Sequence, residues 1–171
     1  MKIFLVLTVA LVADFAMGDI DMCFMEKQTE VFKIRTFVDH YPENNHTYFG
    51  VKACPEDVPL IGATFGNPAY YFFIIFGKVF GSPAAVQIMI EKEKGQPQIL
   101  WFSKQVMLNC NEVKYFWMKW SEGELAIGQG LELGSRTLYT INDADVRPEL
   151  YSSLIYMLRE GTAEFENQCG E

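Results

Sequence analysis

The 171-residue sequence has no run of twenty apolar residues, no basic block, no Cys-x-x-Cys pair and only two histidines. Each lack removes a class of function. Without about 20 consecutive apolar residues, no membrane-spanning helix is expected. With 14 Lys and Arg against 22 Asp and Glu, the net charge is −8, which disfavours nucleic acid and anionic lipid as partners. With no Cys/His cluster, a structural zinc site is not expected. His40 and His46 fall in one polar stretch with no nucleophile beside them, so they read as loop residues in solvent rather than as the base of a triad. No metal and no cofactor are expected. No internal repeat or linker breaks the chain, and the length suits one domain.

What is present starts with Met1-Lys2, an apolar run from Ile3 to about Ala13, and Ala16-Met17-Gly18. One positive charge, a short apolar core and a small-x-small site form a secretory signal peptide over residues 1–18, cut before Asp19. The expected mature domain is 19–171, secreted and extracellular. Four cysteines, Cys23, Cys54, Cys110 and Cys169, are an even number for an oxidising compartment. Two disulfides are therefore expected, with three connectivities open. A nested pattern, Cys54–Cys110 inside Cys23–Cys169, would tie the ends together and cross-link the middle. Asn45-His46-Thr47 is the one glycosylation sequon, in a polar turn-like segment, and Asn45 is the expected glycan site.

The 14 Phe, 8 Tyr and 3 Trp favour strands. Strands are read at Val31–Val38, Thr47–Ala53, Val58–Phe65, Ala69–Phe76, Ala84–Glu91, Ile99–Phe102, Gln105–Leu108 and Arg136–Ile141. Pro59 and Gly62 mark the third as an edge or irregular strand. Glu91–Lys94 reads as a charged tip. Between Tyr115 and Gly130, Phe116, Met118 and Trp120 alternate with Trp117 and Lys119. A Ser-Glu-Gly turn follows, then Leu125 and Ile127, which together make a hairpin. Leu150, Tyr151, Leu154, Ile155 and Leu158 fit one helical face, between Pro148 and Gly161. The expected fold is all-β: a single antiparallel two-sheet β-sandwich, jelly-roll-like, with one short C-terminal helix on the pattern reading.

One face of the hairpin carries the candidate site. Phe116 and Trp120 are assigned to the core, while Tyr115, Trp117 and Lys119 share the other face. If open, that face is a platform for a sugar ring or a small apolar molecule; if covered, it is packing. Asn142-Asp143-Ala144-Asp145 lacks the glycine and closing glutamate of a calcium loop and reads as a solvated turn. Glu122 and Glu124, at the hairpin turn, read as solubilising charge rather than as a glycosidase pair. Gly128-Gln129-Gly130 reads as a close approach or a bulge within the sheet.

The stretch KYFWMKWSEGELAIGQG resembles the signature of the farnesoic acid O-methyltransferase-like domain, an aromatic-Trp-x-x-Trp hairpin followed by Gly-x-Gly. FGVKAC at Phe49–Cys54, with Tyr71–Gly77 and Val86–Glu91, is similar to the strands that family places upstream. The resemblance runs from about Val31 to Phe165. It departs from the family at Phe80 and Phe165, where tryptophan is usual. It implies a strand, not a helix, for Leu150–Leu158. It also implies S-adenosylmethionine-dependent methylation of farnesoic acid. The residues supply no glycine-rich strand-to-helix turn and no βαβ unit for such a cofactor.

The reading taken from sequence is thus a secreted binding module for a carbohydrate or a small apolar molecule. The alternatives are the methyltransferase named by the resemblance and a secreted effector that acts on a protein partner.

Overall fold

The computed structural model describes residues 20–66, 70–79, 82–92 and 95–170. The expected signal peptide, Phe80 and part of the charged tip after Glu91 lie outside the described residues. Twelve strands occur among those described: β1 (Met22–Gln28), β2 (Arg35–Thr36), β3 (His46–Ala53), β4 (Pro59–Phe65), β5 (Tyr70–Val79), β6 (Ser82–Glu91), β7 (Gln98–Ser103), β8 (Lys114–Ser121), β9 (Glu124–Gln129), β10 (Thr137–Asn142), β11 (Tyr151–Leu158) and β12 (Ala163–Gln168). They form two six-stranded antiparallel sheets. Sheet A has the order β1-β12-β3-β8-β9-β10, and sheet B the order β2-β11-β4-β5-β6-β7. The expected jelly-roll-like β-sandwich is the fold.

Strand alternation builds the core. Phe49 and Val51 of β3, Phe116, Met118 and Trp120 of β8, and Leu125 and Ile127 of β9 point inward from sheet A. They meet Ile61, Ala63 and Phe65 of β4, Phe72, Ile74 and Phe76 of β5, and Leu154, Tyr156 and Leu158 of β11 in one continuous cluster. Aromatic rings make the inter-sheet contacts specific. Trp120 stacks on Tyr151 with centroids 4.0 Å apart, and Phe116 lies 4.8 Å from Phe76, within the range of favourable ring pairs.

Four expectations are corrected. The helical pattern at Leu150–Leu158 gives way to strand β11, the element the resemblance implied, and the helical turns among the described residues are two short 3-10 turns, Pro42–Asn44 and Pro148–Leu150. β11 lies between β2 and β4 and is apolar on both faces, so inward Leu154 and Leu158 with outward Ile155 imitate helical spacing. β4 is an interior strand in which every residue is buried. Pro59 is its first residue, a position proline tolerates. Only Arg35–Thr36 of the expected Val31–Val38 strand pairs, and Val31–Phe32 is a turn. Gln105–Leu108 is not a strand; its Met107 and Leu108 are buried in the core cluster. Strand β1, which the sequence pattern did not reveal, pairs with β12 at the edge of sheet A.

The disulfides are nested, Cys23–Cys169 and Cys54–Cys110. Cys23 lies on β1 and Cys169 directly follows β12, the strand β1 pairs with, so this bridge fastens the sheet edge. The separations of 146 and 56 residues correspond to about 5 and 4 kcal/mol of loop-closure entropy.

Candidate functional site

The hairpin forms as expected. β8 and β9 pair from Phe116–Gln129 to Ser121–Glu124, and Gly123 takes φ 74° at the turn. Tyr115, Trp117 and Lys119 share the outward face of sheet A, but they do not form an open platform. Trp117 is 1% exposed, and its Nε1 donates to the Ser135 carbonyl at 3.0 Å. A Cβ added at Gly128 would lie 2.1 Å from the Trp117 ring. The indole fills the place where a side chain at residue 128 would stand. Gly130, at φ 102°, turns the chain off β9, so that Ser135 comes back to the indole. At Trp117 the covered alternative holds, and the indole is packing.

Tyr115 is partly exposed and donates its hydroxyl to Glu166 Oε2 at 3.0 Å, reaching across Gly50. Burial, and then the Glu166 carboxylate, raise its phenol pKa. Lys119 is exposed, with His46 as its backbone partner on β3. Asn45 sits at the end of the first 3-10 turn in a left-handed conformation, φ 54°. Its side chain is partly exposed, and its carbonyl accepts from the Trp120 backbone N–H. Glu122 and Glu124 are exposed beside the hairpin turn. Asp143 and Asp145 hold Lys92 Nζ at 3.0 and 2.9 Å, with the Tyr70 ring centroid 5.2 Å from the ammonium. The Asn142–Asp145 turn is thus an ion-paired clamp between β6 and the segment after β10.

The outward side of sheet B carries an apolar cluster that sequence reasoning passed over, with Leu60, Ile75 and Ile155 buried and Phe73, Met89 and Met157 partly exposed. On the outward face of sheet B, backbone register aligns Met157, Leu60, Ile75, Gln87 and Phe102 in one row. It aligns Ile155, Gly62, Phe73, Met89 and Ile99 in the next. Val58, Leu60 and Ile75, with Phe73, Met89 and Met157, form a second apolar cluster separate from the core. Tyr71 and Phe73, two residues apart on β5, stand with ring planes parallel within 2° and centroids 5.6 Å apart. Both are partly exposed. Gly62 makes room for the Phe73 ring, which a Cβ there would approach to 2.7 Å. Among the described residues, the polar groups on this face include exposed Glu91, opposite Tyr71, and Thr64, whose Oγ1 bonds Ser153, while Gln87, 1% exposed, has an Nε2 with no hydrogen-bond partner.

The sequence signal for this surface was the run AYYFFIIF. An interior strand that is apolar at every position presents apolar side chains on both faces, and only one face can look toward the other sheet.

No protein-family model matches the sequence, and no curated protein is significantly similar to it. Solved structures with a similar course of the chain include a glycosidic hydrolase, with 10% identity, 73% of this chain, 64% of that one and a TM-score of 0.49. A non-specific endo-β-1,3(4)-glucanase of family GH16 has 8% identity, 71% and 54% coverage and a TM-score of 0.48. The Bacillus licheniformis β-glucanase has 8% identity, 82% and 69% coverage and a TM-score of 0.48. The chain spans less than two thirds of the first two of these proteins.

Proposed function

We propose that this chain is a secreted binding module whose ligand lays an apolar face on the outward side of sheet B. The observation that carries the reading is the parallel Tyr71–Phe73 ring pair, set over Gly62 and flanked by Met89 and Ile155. Rigid aromatic rings with thioether neighbours give a large contact area at low entropic cost. Two ligand sources share the required chemistry, the C–H face of a sugar ring and a small apolar molecule.

The resemblance to the farnesoic acid O-methyltransferase-like domain remains part of this proposal as a family reading. The methyltransferase activity does not. Gly128, the glycine that a cofactor would approach, is already covered by the Trp117 ring, and β9 leads into turns rather than a helix.

The test has two arms, a glycan array and a panel of fatty and isoprenoid acids screened by calorimetry. A hit in either arm that weakens at least tenfold in Phe73→Ala supports the reading and names the source. Hits in neither arm, or hits indifferent to Phe73, reject it. Tight S-adenosylmethionine binding would restore the enzymatic reading.

A further inference from the structure

At the β2 edge of sheet B, the turn leading from β1 presents apolar side chains to solvent in a conformation that costs energy to hold. Phe32 is 67% exposed, and Val31 and Ile34 are exposed beside it. Phe32 has φ 58°, a left-handed backbone that favours glycine and is strained for an aromatic residue.

Three contacts enforce it. The Gln28 side-chain amide donates to the carbonyls on both sides of the tip, Glu30 at 3.1 Å and Lys33 at 2.7 Å. The Phe32 N–H donates to the Leu158 carbonyl at 2.7 Å. Lys33 also pairs with Glu30 across the turn. At 67% exposure the phenyl ring offers little burial against that strain, and such outliers gather at active sites, ligand clamps and switch regions.

Behind the tip is a cleft of about 110 Å³ lined by Glu26, Gln28, Thr29, Lys33 and Arg35 among others. Gln28 is 4% exposed. Its amide orientation is fixed by the two carbonyls its nitrogen meets, which leaves Oε1 as a buried acceptor with no donor. Glu26 is engaged by Arg35, whose Nε lies 3.4 Å from its Oε1, and by the Tyr156 phenol, so Gln28 Oε1 is the acceptor left open. The cleft therefore wants a donor.

The charges around it choose the occupant. Lys27, Lys33 and Arg35 each have their own carboxylate, Glu164, Glu30 and Glu26. A rim already balanced in charge, on a chain of net charge −8, does not attract an anionic bilayer. A bilayer's acyl region also offers no donor to Gln28. A protein surface can offer both a pocket and a donor.

We propose that the Val31–Phe32 turn and its cleft are a protein-docking site. Phe32 enters an apolar pocket of a partner protein, and an uncharged amide or hydroxyl of that partner enters the cleft and donates to Gln28 Oε1. The strained turn pre-pays the ordering that a flexible loop would lose on binding.

The experiment uses the full secreted chain with both disulfides. Val31 is replaced by photoreactive benzoylphenylalanine, and the chain is irradiated in the extracellular fluid of its source. The captured protein is identified, purified and titrated against the unmodified chain, Phe32→Gly, and the control Val106→Ser, an exposed residue in the segment after β7. Direct binding is expected, about 10- to 100-fold weaker for Phe32→Gly and unchanged for Val106→Ser. Because glycine is at ease at φ 58°, the melting temperature of Phe32→Gly should equal or exceed that of the unmodified chain. A lower melting temperature would make Phe32 a structural residue and overturn the proposal. No Phe32-dependent capture also overturns it. So does Phe32-dependent binding to phosphatidylcholine vesicles, or self-association of the chain lost in Phe32→Gly.

Discussion

The Trp117 ring occupies the space of a side chain at Gly128, so closely that a Cβ there would stand 2.1 Å from an indole carbon. The pair spans the two strands of the hairpin in direct register. It turns what looks like an exposed tryptophan into part of the packed structure. Gly128→Ala should displace the indole and break its bond to the Ser135 carbonyl. We expect a loss of about 1–3 kcal/mol from overpacking, seen as a lower urea midpoint. Gly130, with nothing within 4 Å of its Cβ position but φ 102°, should respond to alanine through backbone strain alone and leave the Trp117 fluorescence unshifted.

The Lys92 clamp predicts an acid limb in stability. Burial works against ionised Asp143, but the Asp145 backbone N–H and the Lys92 ammonium outweigh it and hold the carboxyl below its ordinary 3.8. A lowered carboxyl pKa stabilises the fold above the ordinary value, and the contribution is lost as pH falls below it. The Lys92 pKa is raised by its hydrogen bonds to Asp145 and Asp143, so its share persists up to about pH 10.5 and disappears above it. Between those limits the clamp should be indifferent to pH. Since Lys92 is 43% exposed, its worth is no more than about 1 kcal/mol. Comparing Lys92→Gln with the unmodified chain in urea at pH 7 and below pH 3 should show that difference shrinking in acid.

A second pH effect lies at the alkaline end. Burial, then Glu26, pushes the Tyr156 phenol up to about 12, and the ring packs on Phe37 and Phe165 in the core. A phenol with a raised folded pKa stabilises below its ordinary value near 10, and that contribution is lost as pH rises toward 12. Ultraviolet titration should show Tyr156 ionising late and together with unfolding. Tyr156→Phe should flatten the alkaline loss.

The two disulfides should not be equivalent. Replacing Cys23 and Cys169 by serine releases the longer loop, yet β1 keeps its hydrogen-bonded register with β12. Replacing Cys54 and Cys110 frees the segment between β3 and β8. Each double variant should lose up to about 4–5 kcal/mol in denaturant unfolding. Proteolysis should enter near residue 20 in the first variant and within 104–113 in the second.

What the sequence disclosed depended on whether a strand has one apolar face or two. The β8–β9 hairpin was legible because Phe116, Met118 and Trp120 alternate cleanly with outward residues and Gly123 marks the turn. At β11 the pattern alone pointed to a helix, because Ile155 and Met157 make its outward face apolar as well, which erases period two, and only the resemblance implied the strand. β4 looked like an edge because Pro59 and Gly62 are usually edge residues. Here Pro59 starts the strand, and Gly62 accommodates the Phe73 ring. The sequence left open which way the Trp117 face would fall, since its burial depends on the backbone turning at Gly130 to bring Ser135 onto the indole. The Tyr71–Phe73 pair was not legible, hidden inside a run that reads simply as core. The strain at Phe32 left no trace in the pattern, because its left-handed backbone is imposed by Gln28 and Leu158.

The central claim is that ligand binding belongs to the outward face of sheet B. It is tested most directly by methyl spectra of methionine-labelled protein during titration with the ligand found by array or panel. The account predicts that the Met89 and Met157 resonances move together on binding while Met118, in the core between the sheets, stays in place. Affinity should fall at least tenfold in Phe73→Ala. Still Met89 and Met157 signals at saturation, with changes confined to the Tyr115–Lys119 side of sheet A, would contradict it.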